Sequence, residues 1–300
     1  MHTACIQASE PRAALRIATW NLEWLVTPAT AHAGRLACRS GRRGPLPCDV
    51  AEQARDSADI ARLATYARLT DADVFAIQEV ESEAIARQVF AGYHICLAPG
   101  RGVQHVGFAV RRTLPHRCGE AVESLGLGGT QRAGLTLWIA PGSTAAIELL
   151  AVHLKSGCSD ADLDTGGNAC GMLRRQAQVL AGWMAARARA RFVVLGDFNR
   201  GDSHVAEDPF WLHLAGGDWN TAPFVHAGAS AAFRNCHRGA PFSRAIDHIL
   251  VAHSLRDALM DDTYERVRYS SLDALRYRLS DHCPVRISLN LHPAAPDVAD

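Results

Sequence analysis

The chain has 300 residues, of which 48% are hydrophobic and 21% are charged, a composition typical of globular proteins with one large core or two smaller ones. It has no run of 18 apolar residues, and its first ten residues lack the basic and apolar regions of a signal peptide. The sequence therefore predicts neither a membrane span nor a visible export signal. The 31 basic and 31 acidic residues balance, so the net charge does not favour a nucleic-acid or anionic-membrane partner, although a local patch would.

The sequence of the first half of the chain predicts one strand, then an insertion and a helix, and then a series of further strands. Residues 16–22 (RIATWNL) are typical of a buried strand, and residues 26–50 are rich in Pro, Gly and Arg without periodicity, which predicts an irregular insertion. Apolar residues then recur at helical spacing over 51–69, directly before the strand VFAIQEV. Further strands are predicted near 106–110, 135–140 and 147–154.

The second half predicts a helix over 172–189 that leads into the strand RFVVL and the segment GDFNR. Residues 201–243 predict irregular structure, and AIDHILV and PVRISLNL predict two closing strands. Because strands and helices alternate without a linker, we expect one mixed α/β domain over 16–291. An N-terminal segment (1–15) and a C-terminal tail (292–300) would flank it.

The nine cysteines exceed what packing usually requires, and none forms a CxxC pair. Two pairs enclose short polar loops, and a third would join the last two motif regions, which favours disulfides over nine reduced thiols. The pairs are Cys38 with Cys48, Cys158 with Cys170, and Cys236 with Cys283. This cysteine usage predicts a secreted or periplasmic protein, with a cytoplasmic protein as the alternative.

Polar residues follow the predicted strands at six places, namely TWNLE, IQEVE, VHLKS, GDFNR, AIDHI and SDHCP. Buried carboxylates are unfavourable unless they are paired or bind a cation, so these strand ends should converge at one edge of the sheet. A cluster of Glu23, Glu79, Asp197, Asp247 and Asp281 would repel itself without a cation. Oxygen ligands suit Mg²⁺, Mn²⁺ or Ca²⁺, so the sequence predicts a hard divalent metal beside donors for a phosphate.

The six motifs, in this order and over residues 16–290, resemble those of the endonuclease/exonuclease/phosphatase superfamily, which includes DNase I, AP endonucleases and neutral sphingomyelinases. The resemblance implies a four-layer αββα sandwich of two packed mixed sheets flanked by helices, with the active site at one edge. It assigns Asn21, Glu79 and Asp281 to the metal site, and Glu23 is a candidate outer ligand.

The resemblance also assigns the catalytic residues. Asp197 would orient or deprotonate the attacking water, and Asn199 would position water and phosphate. His282 would bind the scissile phosphate or transfer a proton, while Asp247, on an expected adjacent strand, fixes its tautomer. His153 corresponds to a second histidine of the DNase I-like and sphingomyelinase-like branches.

Lys155 is the only lysine in the chain, and it follows His153 by two residues, on the same face if the strand continues. A compact ammonium in a chain that otherwise uses arginine predicts a substrate contact. His248 should point away from Asp247 and be structural, whereas Arg101 and Arg132 are not distinguished from surface residues.

The resemblance implies a Mg²⁺- or Mn²⁺-dependent phosphodiesterase, with Ca²⁺ as a further candidate cation. The segments HLKSG, GDFN and IDHI resemble those of secreted bacterial DNase-like members, which implies that it acts on DNA as an endonuclease or exonuclease. A sphingomyelinase-like phospholipid phosphodiesterase is one alternative, and a non-catalytic binding protein with the same fold is another. No protein partner is predicted, and the chain is expected to be monomeric.

Overall fold

The structure is a computed structural model, described for residues 14–100, 102–202, 206–229, 231–237 and 239–291. Its first sheet contains β1 (Ala14–Leu25), β2 (Val74–Val80), β3 (Tyr93–Leu97), β4 (His105–Arg111), β11 (Glu265–Arg266) and β12 (Val285–Asn290). Its second sheet contains β5 (His116–Val122), β6 (Gly134–Ile139), β7 (Ile147–His153), β8 (Phe192–Asp197), β9 (Phe224–His226) and β10 (Asp247–Ala252).

Both sheets are mixed. The first has the order β11-β12-β1-β2-β4-β3, and the second has the order β5-β6-β7-β8-β10-β9. The central pairs β1–β2 and β7–β8 are parallel, whereas the other paired strands are antiparallel. The carboxyl ends of the two parallel pairs deliver the polar motifs to the same end of the molecule.

The helices complete a four-layer arrangement. They are α1 (Pro28–Arg39), α2 (Cys48–Glu52), α3 (Ser57–Thr70), α4 (Glu83–Val89), α5 (Gly167–Ala185), α6 (Pro209–Leu214) and α7 (Ser271–Arg276). One apolar cluster fills the space between the sheets, a second joins the first sheet to α3 and α4, and a third joins the second sheet to α5 and α6. The predicted αββα sandwich is therefore confirmed.

Alternation along the strands decides which side chains reach the space between the sheets. In β1, Ile17 packs in the central cluster, while Ala18 and Trp20 pack towards α3 and α4. In β8, Val193 and Leu195 face the centre. In both strands, the next residue that faces the space between the sheets is polar. The apolar core between the sheets therefore ends in polar groups at the carboxyl ends of these strands.

Two segments that were predicted to be irregular contain regular structure. The interpretation of 26–50 as an insertion without periodicity is wrong, because α1 and α2 lie there; α1 begins after Thr27, whose side chain accepts a hydrogen bond from the Thr30 N–H. The segment 201–243 contains α6 and β9. The tail 292–300 and most of the predicted N-terminal segment lie outside the described residues, as does Arg101.

The structure contains the three predicted disulfides and a fourth that was not predicted, which joins Cys96 to Cys118. Cys96 lies in β3 and Cys118 in β5, so this bond connects edge strands of the two sheets. Within the described ranges, no helix has the length and apolarity needed to cross a membrane.

Candidate active site

A cavity of about 480 Å³ opens at the end of the sandwich where the polar strand ends meet. It is larger than a single water site and falls in the usual range of ligand pockets. The residues that line it are Asn21, Glu23, Trp24, Asp49, Val50, Gln53, Glu79, Gln104, Arg132, His153, Ser156, Asp197, Asn199, Phe242, Arg278, Asp281 and His282. Motifs from both halves of the chain therefore share one cavity.

Strand register places three of the predicted catalytic residues in a row across the second sheet. His153 in β7 pairs with Asp197 in β8, which in turn pairs with Asp247 in β10. All three are buried. Because directly paired residues project to the same face of a sheet, their side chains converge on the space between the two sheets.

Two bulges in the first sheet redirect its acidic residues. The β1–β2 register shifts between Asn21 and Leu25, where Glu23 and Trp24 have φ of 45° and 54°. The β2–β4 register shifts between Ile77 and Val80, where Glu79 has φ of 60°. In a regular strand Glu79 would share the outer face with Ile77, but the left-handed residue turns it into the cavity.

Asn21 connects the two sheets at the cavity. Its amide nitrogen donates to Oε1 of Glu79 at 3.2 Å and to Oδ2 of Asp197 at 3.0 Å. The other oxygen of Glu79 accepts from the backbone N–H of Trp24 at 3.0 Å. Asn21 therefore holds the two carboxylates side by side and keeps its amide oxygen on the backbone N–H of Glu23.

Glu23 lines the cavity, but other groups already bind its carboxylate. Oε2 accepts from the backbone N–H of Asp281 at 3.0 Å and from Arg55 at 3.3 Å, and Arg278 lies 3.7 Å from Oε1. Burial raises the pKa of Glu23, and the charge of Asp281 raises it further. This arrangement suits a residue that orients Asp281 better than one that binds a metal directly.

His282 faces the row formed by His153, Asp197 and Asp247. It is buried, and its Nδ1 donates to Asp247 at 2.9 Å from Oδ2 and 3.0 Å from Oδ1. Its Nε2 lies 3.8 Å from both Asp197 Oδ2 and Asp281 Oδ1. The expectation that Asp247 lies on an adjacent strand is wrong, since β10 belongs to the second sheet and His282 precedes β12 of the first.

The charge states of His282 and Asp197 are coupled by their surroundings. Burial lowers the pKa of His282, but Asp247, Asp197 and Asp281 together overcome this effect and raise the pKa to about 10. Burial raises the pKa of Asp197 to about 7, and the charge of Asp247 adds to the rise while His282 opposes it. At neutral pH His282 is thus an imidazolium beside a carboxyl group that can take up a proton.

His153 is a neutral imidazole. Burial lowers the pKa of His153 well below its ordinary value, and the positive charges of Arg132 and His282 lower it further. Nε2 lies 3.5 Å from Asp197 Oδ2 and 3.7 Å from Glu79 Oε1, whereas Nδ1 is buried without a hydrogen-bond partner. The tautomer with hydrogen on Nε2 therefore faces both carboxylates.

Asn199 and Lys155 occupy different positions relative to the cavity. Asn199 lines it with φ of 51°, donates its backbone N–H to Asp197 Oδ1 at 2.8 Å, and donates its side-chain amide to the Leu154 carbonyl at 3.1 Å. Lys155 lies beyond the end of β7 rather than on its face, and its ammonium donates to the carbonyl of Ser156 at 2.8 Å. Ser156, not Lys155, lines the cavity.

Nine of the lining residues were not assigned to the site by the sequence interpretation, and four of them shape the cavity wall and its opening. Arg132 is bound to the carbonyls of His153 and Leu154, which places its guanidinium at the cavity wall. Arg278, Trp24 and Phe242 line the opening, and the Phe242 ring lies 4.6 Å from the His282 ring. Arg132 and Phe242 have no strand-end signal, so only the tertiary structure identifies them.

The residues present fit a hard divalent cation. Burial raises the pKa of Asp281, Glu79 and Asp247 add to the rise, and Oδ1 of Asp281 is buried without a hydrogen-bond partner. Ligand atoms of Asp197, Asp247 and His282 also lie within 4.8 Å of one another, but there the imidazolium proton already satisfies Asp247. Glu79 and Asp281 also line the cavity and could hold a cation that prefers oxygen ligands.

His248 lies on the other side of β10, in agreement with the expected structural role. Its Nδ1 accepts from His226 Nε2 at 3.0 Å, and its Nε2 donates to the Arg200 carbonyl at 2.8 Å. The Trp211 ring packs against both imidazoles. This buried pair belongs to the core beneath the site.

The arrangement of carboxylates, imidazoles and arginines around one cavity agrees with a comparison of sequences. The sequence model of the Endonuclease/Exonuclease/phosphatase family matches residues 18–282. The chain belongs to this family. Members of the family are hydrolases that act on phosphoester bonds, and they depend on a metal ion. No curated protein matches the chain in a sequence search.

Solved structures share the fold at low sequence identity. D. rerio TDP2 complexed with a single-strand DNA product is 16% identical, with 93% of this chain and 100% of that chain covered and a TM-score of 0.55. An AP endonuclease from Archaeoglobus fulgidus is 15% identical, with 92% and 99% covered and a TM-score of 0.55. The Bacteroides thetaiotaomicron mannosyl-6-phosphatase Bt3783 is 16% identical, with 91% and 98% covered and a TM-score of 0.52.

Proposed function

We propose that the protein hydrolyses phosphodiester bonds of DNA by in-line attack of a water molecule. The bond from phosphorus to the leaving sugar oxygen breaks as the new P–O bond forms, and the leaving oxygen takes up a proton from solvent. The observation that carries this proposal is the placement of the buried His282, whose Nδ1 donates to Asp247 and whose Nε2 is directed towards Asp197 and Asp281. A positive group and a proton-accepting carboxyl at one cavity are what phosphoryl transfer requires. The rest of the site supports the same reaction.

Asp197 is the proposed base for the attacking water. Its Oδ1 is held by the backbone N–H of Asn199, and its Oδ2 is held by the amide of Asn21, so the carboxyl cannot rotate freely. With a pKa of about 7, Asp197 can accept a proton from water near neutral pH. The Nε2–H of His153 faces the same oxygen and would keep it oriented.

His282 is the proposed phosphate-binding acid. Its Nδ1 hydrogen is committed to Asp247, so its Nε2 hydrogen remains for a non-bridging phosphoryl oxygen and stabilises charge that grows there. Glu79 and Asp281 would hold the cation, Asn21 would keep Glu79 beside Asp197, and Glu23 would orient Asp281. When bound, the cation would polarise the phosphoryl group as a Lewis acid.

Two observations support DNA as the substrate. Among the structural neighbours, one is bound to a single-strand DNA product and one is an AP endonuclease. Arg132 and Arg278 line the cavity and offer guanidinium groups for phosphates flanking the scissile bond.

The four disulfides are typical of an oxidising compartment, so we propose a secreted or periplasmic enzyme.

A substrate panel tests the proposal. Purified protein would be assayed with plasmid DNA, RNA, sphingomyelin, mannose 6-phosphate and bis-p-nitrophenyl phosphate, each with Mg²⁺, Mn²⁺, Ca²⁺ or EDTA. We expect DNA cleavage that EDTA abolishes and that Asp197→Asn abolishes under the same conditions. Turnover of sphingomyelin or mannose 6-phosphate without DNA cleavage would replace the proposed substrate, and no turnover with any metal would favour a binding protein.

A further inference from the structure

Three arginines lie on a hairpin that contributes to the cavity wall but whose arginines the proposed reaction does not use. The α1–α2 hairpin, residues 28–52, carries Arg39 at the end of α1 and Arg42 and Arg43 in the turn between its two helices. All three side chains are exposed, and none forms an ion pair with any part of the chain that the structure describes. We call these three residues the arginine turn.

Many arginines elsewhere in this electrically neutral chain are neutralised by a carboxylate, whereas those of the arginine turn are not. The paired arginines include Arg55, Arg111, Arg187, Arg200 and Arg286. An unpaired triplet within five residues is therefore a local positive patch that the net charge of the protein does not reveal.

The hairpin is held firmly against the active site. The disulfide Cys38–Cys48 closes it, and Arg35 donates from α1 to the carbonyl of Ala51 in α2 at 3.0 Å. A small apolar cluster (Val26, Ala31, Leu46, Ala51) packs with Trp24, whose backbone N–H binds Glu79. The position of the arginine turn is thus fixed relative to the catalytic carboxylates.

The disulfide also limits how far the arginine turn lies from the cavity. The Cα atoms of Cys38 and Cys48 are 5.7 Å apart, and Asp49, the next residue after Cys48, lines the cavity. Since neighbouring Cα atoms are about 3.8 Å apart, the Cα of Arg39 lies within roughly 13 Å of that of Asp49. Phosphates of a duplex strand repeat about every 3.4 Å along the axis, so this distance covers about four phosphates.

We propose that the arginine turn binds the sugar–phosphate backbone of a nucleic acid strand whose scissile phosphate occupies the cavity. Guanidinium groups bind phosphates in a bidentate manner and stay charged at every physiological pH. A membrane surface fits less well, because Leu36 is the only large apolar side chain of the hairpin that is exposed, which is too little for insertion. This inference rests on the proposed function and extends the substrate site beyond the cavity.

The test neutralises the arginine turn and compares it with a matched change at the far end of the sheets. The variant is Arg39→Gln, Arg42→Gln and Arg43→Gln together. The control replaces Arg112, Arg189 and Arg256 by glutamine, because these exposed arginines lie by the strand ends remote from the cavity. Both variants lose three charges, so a general electrostatic effect would appear in both.

Binding is measured first, in EDTA, so that no cleavage occurs. Fluorescence anisotropy with a labelled single-stranded or duplex oligonucleotide should show at least a tenfold weaker Kd for the arginine-turn variant at low salt and less than a twofold change for the control. The slope of log Kd against the logarithm of the salt concentration should decrease by about 2 for the single strand and by about 3 for the duplex. Equal losses in both variants, or no loss in the arginine-turn variant, would overturn the inference.

Turnover and a vesicle assay complete the test. With Mn²⁺, kcat/KM for the oligonucleotide should fall at least tenfold in the arginine-turn variant, while hydrolysis of bis-p-nitrophenyl phosphate stays within twofold. A parallel loss on the small ester, or arginine-dependent binding to phosphatidylserine vesicles without arginine-dependent DNA binding, would overturn it. Arginine-dependent DNA binding without any hydrolysis would refute the proposed function and leave the binding site intact.

Discussion

His282 donates a hydrogen bond from Nδ1 to the carboxylate of Asp247, 2.9 Å from Oδ2, and this bond joins the two sheets at the cavity. The two residues are 35 positions apart in the chain. The bond combines an orienting contact with an ion pair, because Asp247 is the charge that most strongly opposes the effect of burial on the imidazole. The bond therefore sets the direction in which Nε2 points and keeps a proton on Nε2.

The first prediction concerns this pair and the proposed base. Asp197→Asn and His282→Ala should each lower kcat by at least about a hundredfold, since each removes a group that contacts the reacting atoms. Asp247→Asn should lower the pKa of His282, so the alkaline limb of the pH–rate profile should move to lower pH. Steady-state kinetics from pH 5 to 10 measure both effects.

The matched control for the first prediction is the exposed His213, at which an Ala substitution should leave kcat within twofold. Circular dichroism and thermal unfolding verify that each variant is folded. Near wild-type turnover of a folded Asp197→Asn or His282→Ala variant would contradict the role assigned to that residue.

The second prediction separates the residues that bind the cation from the residue that supports them. Glu79→Gln and Asp281→Asn should weaken Mn²⁺ binding at least tenfold, because each removes a charged oxygen ligand. Glu23→Gln should have a smaller effect, since its carboxylate already binds Arg55 and the backbone N–H of Asp281. Calorimetric titration of the metal-free protein with Mn²⁺ gives the three affinities, and an equal or larger loss for Glu23→Gln would make Glu23 a direct ligand.

The third prediction concerns the backbone at Glu79. A residue with φ of 60° is strained unless it is glycine, so Glu79→Gly should be more stable than Glu79→Ala by about 1 kcal/mol. Both variants lose the same carboxylate, which isolates the effect of the backbone. In an ordinary strand glycine would be the less stable of the two, so chemical denaturation of the metal-free variants distinguishes the cases by sign.

Strand-end chemistry is the part of the site that the sequence could predict. A strand that is buried on both faces, such as RFVVL, cannot end in GDFN without exposing or pairing a carboxylate, and the same logic applies at His153 and Asp247. Helical periodicity likewise predicted helices over 51–69 and 172–189, which correspond to α3 and α5 with ends that differ by up to six residues. These features depend on local pattern, which a sequence contains directly.

The remaining features depend on tertiary structure. The left-handed backbone at Glu79 has no local signal, because glutamate rarely adopts it and the surrounding sheet enforces it. Helix α1 was hidden by the glycines, prolines and arginines around it, and it is stabilised by packing of Ala31 against Leu46 and Ala51. The pairing of Cys96 with Cys118 requires knowing that β3 and β5 are the neighbouring edges of two different sheets.

The fourth prediction is a count of thiols. Four disulfides use eight of the nine cysteines and leave only Cys5, which lies outside the described residues. Denatured, unreduced protein should therefore react with about one equivalent of a thiol reagent and with about nine equivalents after reduction. About nine equivalents before reduction would show a reduced protein and would remove the support for an oxidising compartment.

The fifth prediction is that the buried His226–His248 pair lowers the stability of the protein in acid. Burial lowers the pKa of His226 to about 4 and lowers that of His248 well below its ordinary value, with His226 adding to the second shift. The unfolded chain takes up these protons near pH 6.5, before the folded protein does, so stability falls as the pH decreases from about 6.5 towards 4. His226 alone accounts for at most about 3 kcal/mol of this loss.

The matched variant is His226→Gln, which keeps an amide donor for Nδ1 of His248 but does not titrate. Its free energy of unfolding should decrease less than that of the wild type between pH 7 and pH 5, because one fewer group binds a proton on unfolding. Urea denaturation in EDTA at both pH values measures the two free energies of unfolding. The carboxylates of the cavity are the same in both proteins, so their titration cancels in the comparison. Equal pH dependence in the two proteins would mean that folding does not lower the pKa of His226. The buried pair would then need an acceptor for the added proton that its present hydrogen bonds do not provide.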